Sequence, residues 1–183
     1  MADPRDRRAV FLDRDGTIIE DPGFLHEPEK VRLLEGAADA IRDLNRAGWL
    51  VVTVSNQSGI ARGLYTPAAY DAVQRRLDEL LLDHGAYLDG NYVCPHHPEF
   101  TGPCPCRKPG LKLFQDASND LGIAFEKSWF IGDRPSDVEP GRRLGGRCFL
   151  VATGEGALHE RQALALAVPV LPNLADAVRE IIE

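Results

Sequence analysis

Two aspartates, Asp13 and Asp15, stand where the short apolar segment RAVFLD gives way to the turn of FLDRDGT. Side chains two positions apart in a strand share a face, so both carboxylates can address one atom of a ligand. The simplest alternative is a capped turn that carries two solvated aspartates. A calcium-binding loop is a second alternative, but no acidic series of the required spacing ends in a glutamate twelve positions on.

Two further apolar segments of the chain also end in polar residues. WLVVTVS ends at Ser55 and is followed by Asn-Gln-Ser, and SWFIGD ends at Asp133. In open α/β sheets, ligands bind outside the carboxyl ends of the strands. We therefore expect the two aspartates of FLDRDGT, Ser55 and Asp133 to belong to one site.

Three of the four cysteines and two histidines lie in one proline-rich stretch, VCPHHPEFTGPCPCRKPG. The thiols of Cys94, Cys104 and Cys106, together with His96 or the adjacent His97, supply four ligands that suit tetrahedral Zn²⁺. A disulfide is the weaker interpretation, because two cysteines separated by one residue are too close to pair comfortably. The spacing therefore predicts a zinc-bound loop over residues 94–106.

Two cations, Arg107 and Lys108, directly follow the last cysteine of this stretch. Metal bonds would fix a proline-rich loop that has few backbone hydrogen bonds of its own. They would also hold both cations over the strand ends, where a phosphate group should bind. We therefore expect the zinc to be structural, with no open coordination position. The fourth cysteine, Cys148, lies in an apolar segment and is interpreted as a small buried hydrophobic residue.

Strand-like and helix-like segments alternate along the whole chain. The predicted strands cover residues 8–13, 49–55, 88–93, 128–133 and 147–153, and the predicted helices cover 37–48, 66–84, 111–122 and 173–182. Such alternation predicts right-handed crossovers and a mostly parallel sheet with helices on both faces. A length of 183 residues predicts a single domain over residues 1–183.

Composition and charge exclude several classes of function. The formal net charge of -7 gives no general attraction to nucleic acid, so small phosphorylated metabolites are the expected ligands. The first ten residues, MADPRDRRAV, are charged and lead into an apolar run of only a few residues. Neither a signal peptide nor a membrane span is therefore expected, and a cytoplasmic location is the default.

Four segments in order resemble the signature motifs of the haloacid dehalogenase (HAD) type phosphatases. They are FLDRDGT, the apolar strand that ends at Ser55, Lys108 before a proline, and IGDRPSD. The resemblance covers roughly residues 8–153. It implies a three-layer, Rossmann-like α/β fold of the HAD type and a phosphoric monoester hydrolase. Because no large insertion separates the motifs, no large cap domain is expected.

The resemblance implies a role for each motif residue. Asp13 is expected to be the nucleophile that forms an aspartyl-phosphate, and Asp15 to protonate the leaving oxygen and then activate water. Catalytic Mg²⁺ is expected to bind Asp13, the backbone carbonyl of Asp15, and Asp133. Lys108 and the Ser55 hydroxyl are expected to stabilise the phosphoryl oxygens.

Within the superfamily, three segments are similar to the D,D-heptose 1,7-bisphosphate phosphatases. They are CPHHP with CPCRKPG, SNQSGIARG, and FLDRDGTIIEDPGFLHE. The resemblance implies a monomeric enzyme of heptose biosynthesis that removes one phosphate, the C7 phosphate, from D-glycero-D-manno-heptose 1,7-bisphosphate. It also favours His96 over His97 as the fourth zinc ligand. The implied substrate contacts are Asp21, Pro22, Gly23, Phe24, Ser55, Asn56, Gln57, Ser58, Arg107, Lys108 and Arg134.

Several alternatives remain open on the sequence. The related histidinol-phosphate phosphatases share the fold, the Mg²⁺ site and the zinc loop. A receiver-like phosphoacceptor would also use a strand-end aspartate, Mg²⁺ and a lysine, but it has no use for an acid–base group such as Asp15. A zinc-stabilised binding module would leave the aspartate motifs unexplained. Asp137, four residues after Asp133, could orient the metal site or cap the following helix.

Overall fold

In the computed structural model, which describes residues 6–183, six parallel strands form the central sheet. The strands are β1 (Ala9–Leu12), β2 (Leu50–Asn56), β3 (Gly90–Cys94), β4 (Trp129–Gly132), β5 (Arg147–Val151) and β6 (Val170–Leu171). Their spatial order is β3-β2-β1-β4-β5-β6, and every neighbouring pair is parallel. The predicted parallel sheet is therefore confirmed. Residues 1–5 of the predicted domain lie outside the described residues.

Helices cover both faces of this sheet, as the alternating pattern predicts. The α-helices of the described chain are α1 (Ala37–Arg46), α2 (Pro67–Asp83), α3 (Pro98–Thr101), α4 (Lys112–Leu121), α5 (Pro135–Leu144), α6 (Glu160–Ala165) and α7 (Leu174–Ile182). Helices α1, α2 and α7 contribute buried residues to one hydrophobic core. Helices α4, α5 and α6 contribute to the other.

The two cores arise from the alternation of side chains along the strands. In β1, Val10 and Leu12 belong to the core beneath α1, α2 and α7, whereas Ala9 and Phe11 belong to the core beneath α4, α5 and α6. Successive side chains of a strand point to opposite faces, so a strand that is apolar throughout must be covered on both sides. The three-layer α/β architecture follows from these apolar runs.

The strand order brings the polar strand ends together. Strand β1 lies between β2 and β4, with Leu12 opposite Thr53 on one side and Ile131 on the other. The Asp13 amide continues the ladder and donates a 3.0 Å hydrogen bond to the Ile131 carbonyl. Because the chain leaves β1 toward β2 and later returns to β4 on the opposite side, a crevice opens above β1.

Local signals position several of the helices. The Thr66 side chain accepts a hydrogen bond from the Ala69 amide at the start of α2, and Pro67 occupies its first turn, as predicted. The short elements β6, α3 and α6 were not predicted, because two to six residues are too few to display a hydrophobic period. Strand β3 begins at Gly90, two residues after the predicted start.

The connections between the core elements are short. Residues 13–36 between β1 and α1 hold a 3₁₀ helix at Pro28–Lys30, and residues 95–111 between β3 and α4 hold only α3. No large cap domain is therefore inserted within the described residues, as predicted. None of the helices formed by residues 6–183 is long and apolar enough to cross a membrane.

Candidate active site and metal-binding loop

A cavity of about 670 Å³ opens at the carboxyl edge of the sheet. Its wall is built by the segments that follow the strands. The lining residues are Asp13, Asp15, residues 21–25, residues 56–58, Arg62, Tyr65, Arg107, Lys108, Arg134, Ser136, Asp137 and Glu155. The structure thus brings together all the residues predicted to contact substrate except Ser55.

The buried ammonium group of Lys108 lies at the base of this cavity. Its Nζ is 2.7 Å from Asp13 Oδ1 and 2.8 Å from Asp137 Oδ1, and it also donates to the Val54 carbonyl. The lysine side chain is 2% exposed. A buried charge of this kind is tolerated only where it is paired, and here two carboxylates pair with it. Lys108, which follows the cysteine-rich loop, and Asp13 therefore meet in one site.

Burial shapes the protonation equilibria of this cluster. Burial raises the pKa of Asp13 to about 8, against the opposing effect of Lys108, and the carboxylates of Asp137 and Asp133 raise it further. Burial likewise raises the pKa of Asp133 to about 6, although the Glu155 amide opposes the rise. Burial alone would lower the pKa of Lys108, but Asp13 and Asp137 together raise it. Burial and the neighbouring carboxylates thus disfavour the charged forms of Asp13 and Asp133.

The acidic cluster fits a divalent cation. Asp13, Asp133 and Asp137 each offer a carboxylate oxygen, and these oxygens lie within 4.8 Å of one another. Asp133 is fully buried, and its Oδ1 has no hydrogen-bond partner among the described residues. Its Oδ2 accepts a 2.8 Å hydrogen bond from the Glu155 amide. Carboxylate oxygens are the ligands that Mg²⁺ prefers, and the unpaired oxygen is free to serve as one.

Two glycines make room for the buried Asp133 carboxylate. A Cβ atom on Gly16 or on Gly154 would contact Asp133 Oδ2, and both glycines have positive φ, +85° and +57°. Glycine is the residue that adopts such backbone angles without strain and allows so close an approach. The turn after the first aspartate pair is therefore shaped around the carboxylate at the end of β4.

Asp137 caps a helix and also contacts the buried lysine. Its Oδ2 accepts a 2.9 Å hydrogen bond from the Arg134 amide and so caps α5. Its Oδ1 contacts Lys108. A single carboxylate therefore joins the start of α5 to the acidic cluster.

The Asp15 carboxylate has different hydrogen-bond partners from the Asp13 carboxylate. Its Oδ2 accepts a 2.7 Å hydrogen bond from Gln57 Nε2, and the Tyr65 hydroxyl donates to Gln57 Oε1 at 2.6 Å. Gln57 Nε2 also donates to the hydroxyl of Ser55, which is 1% exposed. Ser55 is therefore packed against Gln57 instead of lining the cavity. Its hydroxyl accepts this bond, which leaves the hydroxyl hydrogen able to donate.

The cysteine-rich loop forms a second candidate metal site. Ligand atoms of Cys94, His96, Cys104 and Cys106 lie within 4.8 Å of one another, with His96 Nδ1 3.2 Å from Cys106 Sγ. The four cysteines of the chain are all free thiols. Burial raises the pKa of the Cys94 thiol, so a buried thiolate there requires a compensating cation. Three thiols and an imidazole nitrogen in this arrangement fit Zn²⁺.

The second histidine of the loop points to a different neighbour. His97 Nδ1 accepts a hydrogen bond from the Glu99 amide at the start of α3, and its Nε2 lies 2.9 Å from Arg62 Nη2. The structure thus places His96, and not His97, in the cluster with the thiols. The Arg62 guanidinium also lies over the rings of Phe24 and Phe100, 5.9 Å and 5.1 Å from their centroids.

The two cations that follow the cysteine-rich loop, Arg107 and Lys108, both line the cavity. Arg107 lines the wall next to Lys108, and its Nη1 donates to the His96 carbonyl at 3.3 Å. Arg134 also lines the cavity, and its Nη2 lies 2.9 Å from Glu155 and 3.4 Å from Asp21. The cavity wall therefore carries the cationic side chains of Arg107, Lys108 and Arg134.

Sequence reasoning missed several residues of the site. Arg62, Tyr65, Ser136 and Glu155 line the cavity, and the buried Arg14 contacts Asp15. Arg62 and Ser136 lie within SNQSGIARG and IGDRPSD, so their place beside assigned residues was an available signal. Glu155 follows β5, whose carboxyl end adjoins that of β4, but no pattern marks it.

The family and relatives of the chain agree with this geometry. Residues 105–177 match the family model described as HAD-hydrolase-like. The chain is 40% identical over 179 residues to D-glycero-beta-D-manno-heptose-1,7-bisphosphate 7-phosphatase of Yersinia pestis, covering 94% of each chain. It is 40% identical over 174 residues to the protein of the same name from Escherichia coli strain K12, covering 92% of this chain and 90% of that one.

Solved structures give the same result. The D,D-heptose 1,7-bisphosphate phosphatase from B. bronchiseptica, complexed with magnesium and phosphate, superimposes with a TM-score of 0.85. It is 30% identical, and the match covers 97% of this chain and 98% of that one. The D,D-heptose 1,7-bisphosphate phosphatase from Burkholderia thailandensis superimposes with a TM-score of 0.71 at 27% identity and covers 97% and 99% of the two chains.

Proposed function

The chain belongs to the D-glycero-β-D-manno-heptose-1,7-bisphosphate 7-phosphatase family, and we propose that it removes the C7 phosphate of its substrate through a phosphorylated Asp13. It is a HAD-type phosphoric monoester hydrolase that acts on heptose bisphosphate. The observation that carries the mechanism is the contact between Asp13 and Lys108, whose charged atoms lie 2.7 Å apart at the base of the cavity.

In the first half-reaction, an Asp13 carboxylate oxygen attacks phosphorus. A bond forms between that oxygen and phosphorus while the bond from phosphorus to the sugar oxygen breaks. Asp15 gives its proton to the departing oxygen. Lys108, held beside Asp13, donates hydrogen bonds to the phosphoryl oxygens.

In the second half-reaction, Asp15 takes a proton from a water molecule that attacks phosphorus. The bond between Asp13 and phosphorus breaks, and inorganic phosphate leaves with the original carboxylate restored. The same carboxylate therefore serves as acid and then as base. The Gln57 amide, which donates to Asp15 Oδ2, holds that carboxylate beside the nucleophile in both steps.

Mg²⁺ is the metal that best fits the acidic cluster. Asp13, Asp133 and the backbone carbonyl of Asp15 would hold it, with Asp137 close enough to contribute or to orient a bound water. The ion supplies positive charge that lets a phosphate dianion approach several carboxylates. The unpaired Oδ1 of the buried Asp133 supports this assignment.

Zinc would act through position only. Cys94, His96, Cys104 and Cys106 fill a closed tetrahedral set, so no coordination position is left for substrate. Fixing Cys106 fixes the two residues that follow it. The loop therefore contributes to catalysis by holding Arg107 and Lys108 at the cavity wall.

The other cavity residues would bind the sugar and its second phosphate. Residues 21–24 and 56–58 line the wall and would offer backbone groups and the Ser58 hydroxyl to the sugar. We assign the non-reacting phosphate to Arg107, because it lines the cavity without a carboxylate partner among the described residues. Arg134 stands at the reacting end, beside the metal ligand Asp133.

We also propose an assembly state and a location for the protein. We infer that a monomer is active, because every catalytic group named above comes from one chain. We place the protein in the cytoplasm, because free thiols in a zinc site persist in a reducing compartment.

Steady-state release of inorganic phosphate tests this function. The substrates are both anomers of heptose 1,7-bisphosphate and histidinol phosphate, and ³¹P NMR identifies which phosphate remains. We expect Mg²⁺-dependent loss of the C7 phosphate, and no release by Asp13→Asn. A preference for histidinol phosphate, or loss of the C1 phosphate, would refute the proposed substrate and regiochemistry.

A further inference from the structure

A buried arginine, Arg14, separates the two aspartates that carry out the chemistry. It is fully buried and is the largest such side chain among the described residues. The proposed mechanism gives it no role. A guanidinium group stays charged in a protein, so its burial needs a structural reason.

The guanidinium group of Arg14 donates hydrogen bonds to the carboxylate of Asp15. Arg14 Nε donates to Asp15 Oδ2 at 3.1 Å, and Nη2 donates to Asp15 Oδ1 at 3.0 Å. Nη2 also lies 2.9 Å from Oδ2. Hydrogen bonds from two guanidinium nitrogens to both oxygens restrict the orientation of a carboxylate as well as its position. The Tyr70 ring supports the guanidinium from one face, with its centroid 5.0 Å from Cζ.

The two oxygens of Asp15 are not equivalent in this arrangement. Oδ2 accepts from Arg14 Nε and from Gln57 Nε2, whereas Oδ1 accepts only from Arg14 Nη2 among the described residues. A carboxylate oxygen has about two lone-pair sites, so Oδ1 retains acceptor capacity and Oδ2 is saturated. The Asp15 side chain is 19% exposed and lines the cavity, so a substrate can reach its carboxylate.

We propose that Arg14 is a positioning residue that aims Asp15 Oδ1 at the leaving oxygen of the phosphate ester. This inference rests on the proposed function, because it explains how Asp15, the acid–base group of that mechanism, is oriented. The proton moves from Oδ1 to the leaving oxygen as the phosphorus–oxygen bond breaks, and it returns to Oδ1 from water in the second half-reaction. Arg14 keeps its own protons throughout.

An arginine suits this task better than a lysine would. The planar fork of a guanidinium fixes the orientation of a carboxylate, whereas an ammonium group is a point charge that permits rotation. General acid catalysis contributes about 10²- to 10⁴-fold, and it depends on correct placement of the proton. Arg14→Lys keeps the charge and removes the planar fork, so the variant should lose part of the rate acceleration that comes from general acid catalysis.

The dependence on leaving group distinguishes positioning from a structural role. A sugar alkoxide is strongly basic and needs a proton in order to leave, whereas p-nitrophenolate does not. In a mechanism with a phosphoenzyme, kcat/KM reports only the steps up to release of the alcohol. Arg14→Lys should therefore lower kcat/KM for primary sugar phosphates by about 10- to 100-fold while changing that for p-nitrophenyl phosphate by less than about threefold.

A double-mutant cycle tests whether Arg14 acts through Asp15. We expect Arg14→Lys combined with Asp15→Asn to have the same kcat/KM for a sugar phosphate as Asp15→Asn alone. Multiplicative losses, or equal losses on both leaving groups, would overturn the inference. Unchanged kcat/KM for sugar phosphates in Arg14→Lys would overturn it as well.

A second variant covers the case in which Arg14→Lys does not fold. Tyr70→Leu removes the supporting ring and keeps both charges, and it should produce a smaller loss with the same dependence on leaving group. A loss in Tyr70→Leu that is equal for both classes of leaving group would contradict the inference. Thermal unfolding of each variant checks that the proteins compared are folded.

Both classes of ester are assayed with the wild-type enzyme first, including a hexose 6-phosphate. A wild-type enzyme that hydrolyses monoesters but ignores heptose bisphosphate would refute the proposed substrate and leave the Arg14 test intact. A wild-type enzyme that hydrolyses none of them would refute the proposed function itself.

Discussion

The side-chain amide of Asn56 binds both backbone polar groups of Lys108. Asn56 Oδ1 accepts from the Lys108 amide at 3.0 Å, and Asn56 Nδ2 donates to the Lys108 carbonyl at 3.2 Å. Asn56 is the last residue of β2, so the sheet itself holds the segment that leaves the cysteine-rich loop. Lys108 is thus held at its backbone by Asn56 and at its ammonium group by Asp13 and Asp137.

Asn56→Ala should lower kcat by about tenfold or more, because a small displacement of Lys108 weakens its hold on the phosphoryl group. Asn45→Ala is a matched control, since Asn45 makes the same pair of hydrogen bonds to the Tyr87 backbone, at 3.0 Å and 3.2 Å. Each variant should lose about 1–2 kcal/mol of unfolding free energy. Steady-state kinetics with equal kcat values for the two variants would show that Asn56 serves stability alone.

Gly16→Ala should weaken Mg²⁺ binding, because the new Cβ atom would lie 2.9 Å from Asp133 Cγ and displace that carboxylate. We expect the Mg²⁺ concentration for half-maximal activity to rise by roughly tenfold. Gly145→Ala is the control, since Gly145 has a similar φ of +82°, and a Cβ atom added there would meet none of the described atoms within 4 Å. An alanine at a positive φ of this size carries a backbone strain of about 1–2 kcal/mol in either variant. A Mg²⁺ titration with equal shifts for both would contradict the assigned metal site.

Cys106→Ser should abolish stoichiometric zinc binding and lower kcat, because the loop that ends at Lys108 loses its anchor. Cys148→Ser is the control, because Cys148 lies outside the cluster and its thiol donates to the Val138 carbonyl at 3.2 Å. That variant should keep its zinc and its kcat. Metal analysis and kinetics on the same samples make the comparison. A zinc-free Cys106→Ser protein with wild-type kcat would show that the metal does not position the lysine.

The sequence predicted the parts of the fold that repeat a local pattern. Strands β1, β2, β4 and β5 are short but mostly apolar, and the Thr-Pro start of α2 is a strong cap signal. Strand β6 has only two residues, and α6 has six, so neither displays a period. Their presence depends on tertiary contacts with β5 and the core, which a single sequence does not reveal.

The site could be predicted where motif residues directly follow strands. It could not be predicted where side-chain packing determines the position of a residue. The approach of Lys108 to Asp13 could be expected from strand ends and the zinc loop. The placement of Ser55 behind the Gln57 amide could not, because it depends on how Tyr65 holds that amide. The burial of Arg14 was also hidden, since an arginine between two aspartates in a turn normally points to solvent.

The most direct test of the mechanism is to trap phosphate on Asp13 in the Asp15→Asn variant. With p-nitrophenyl phosphate, departure of the first product needs no proton, whereas hydrolysis of the phosphoenzyme needs the missing base. Rapid acid quenching and peptide mass spectrometry should then show stoichiometric phosphorylation of Asp13, with a burst of p-nitrophenolate of about one per enzyme. Steady turnover in this variant without a phosphorylated Asp13, or phosphate on another residue, would contradict the account.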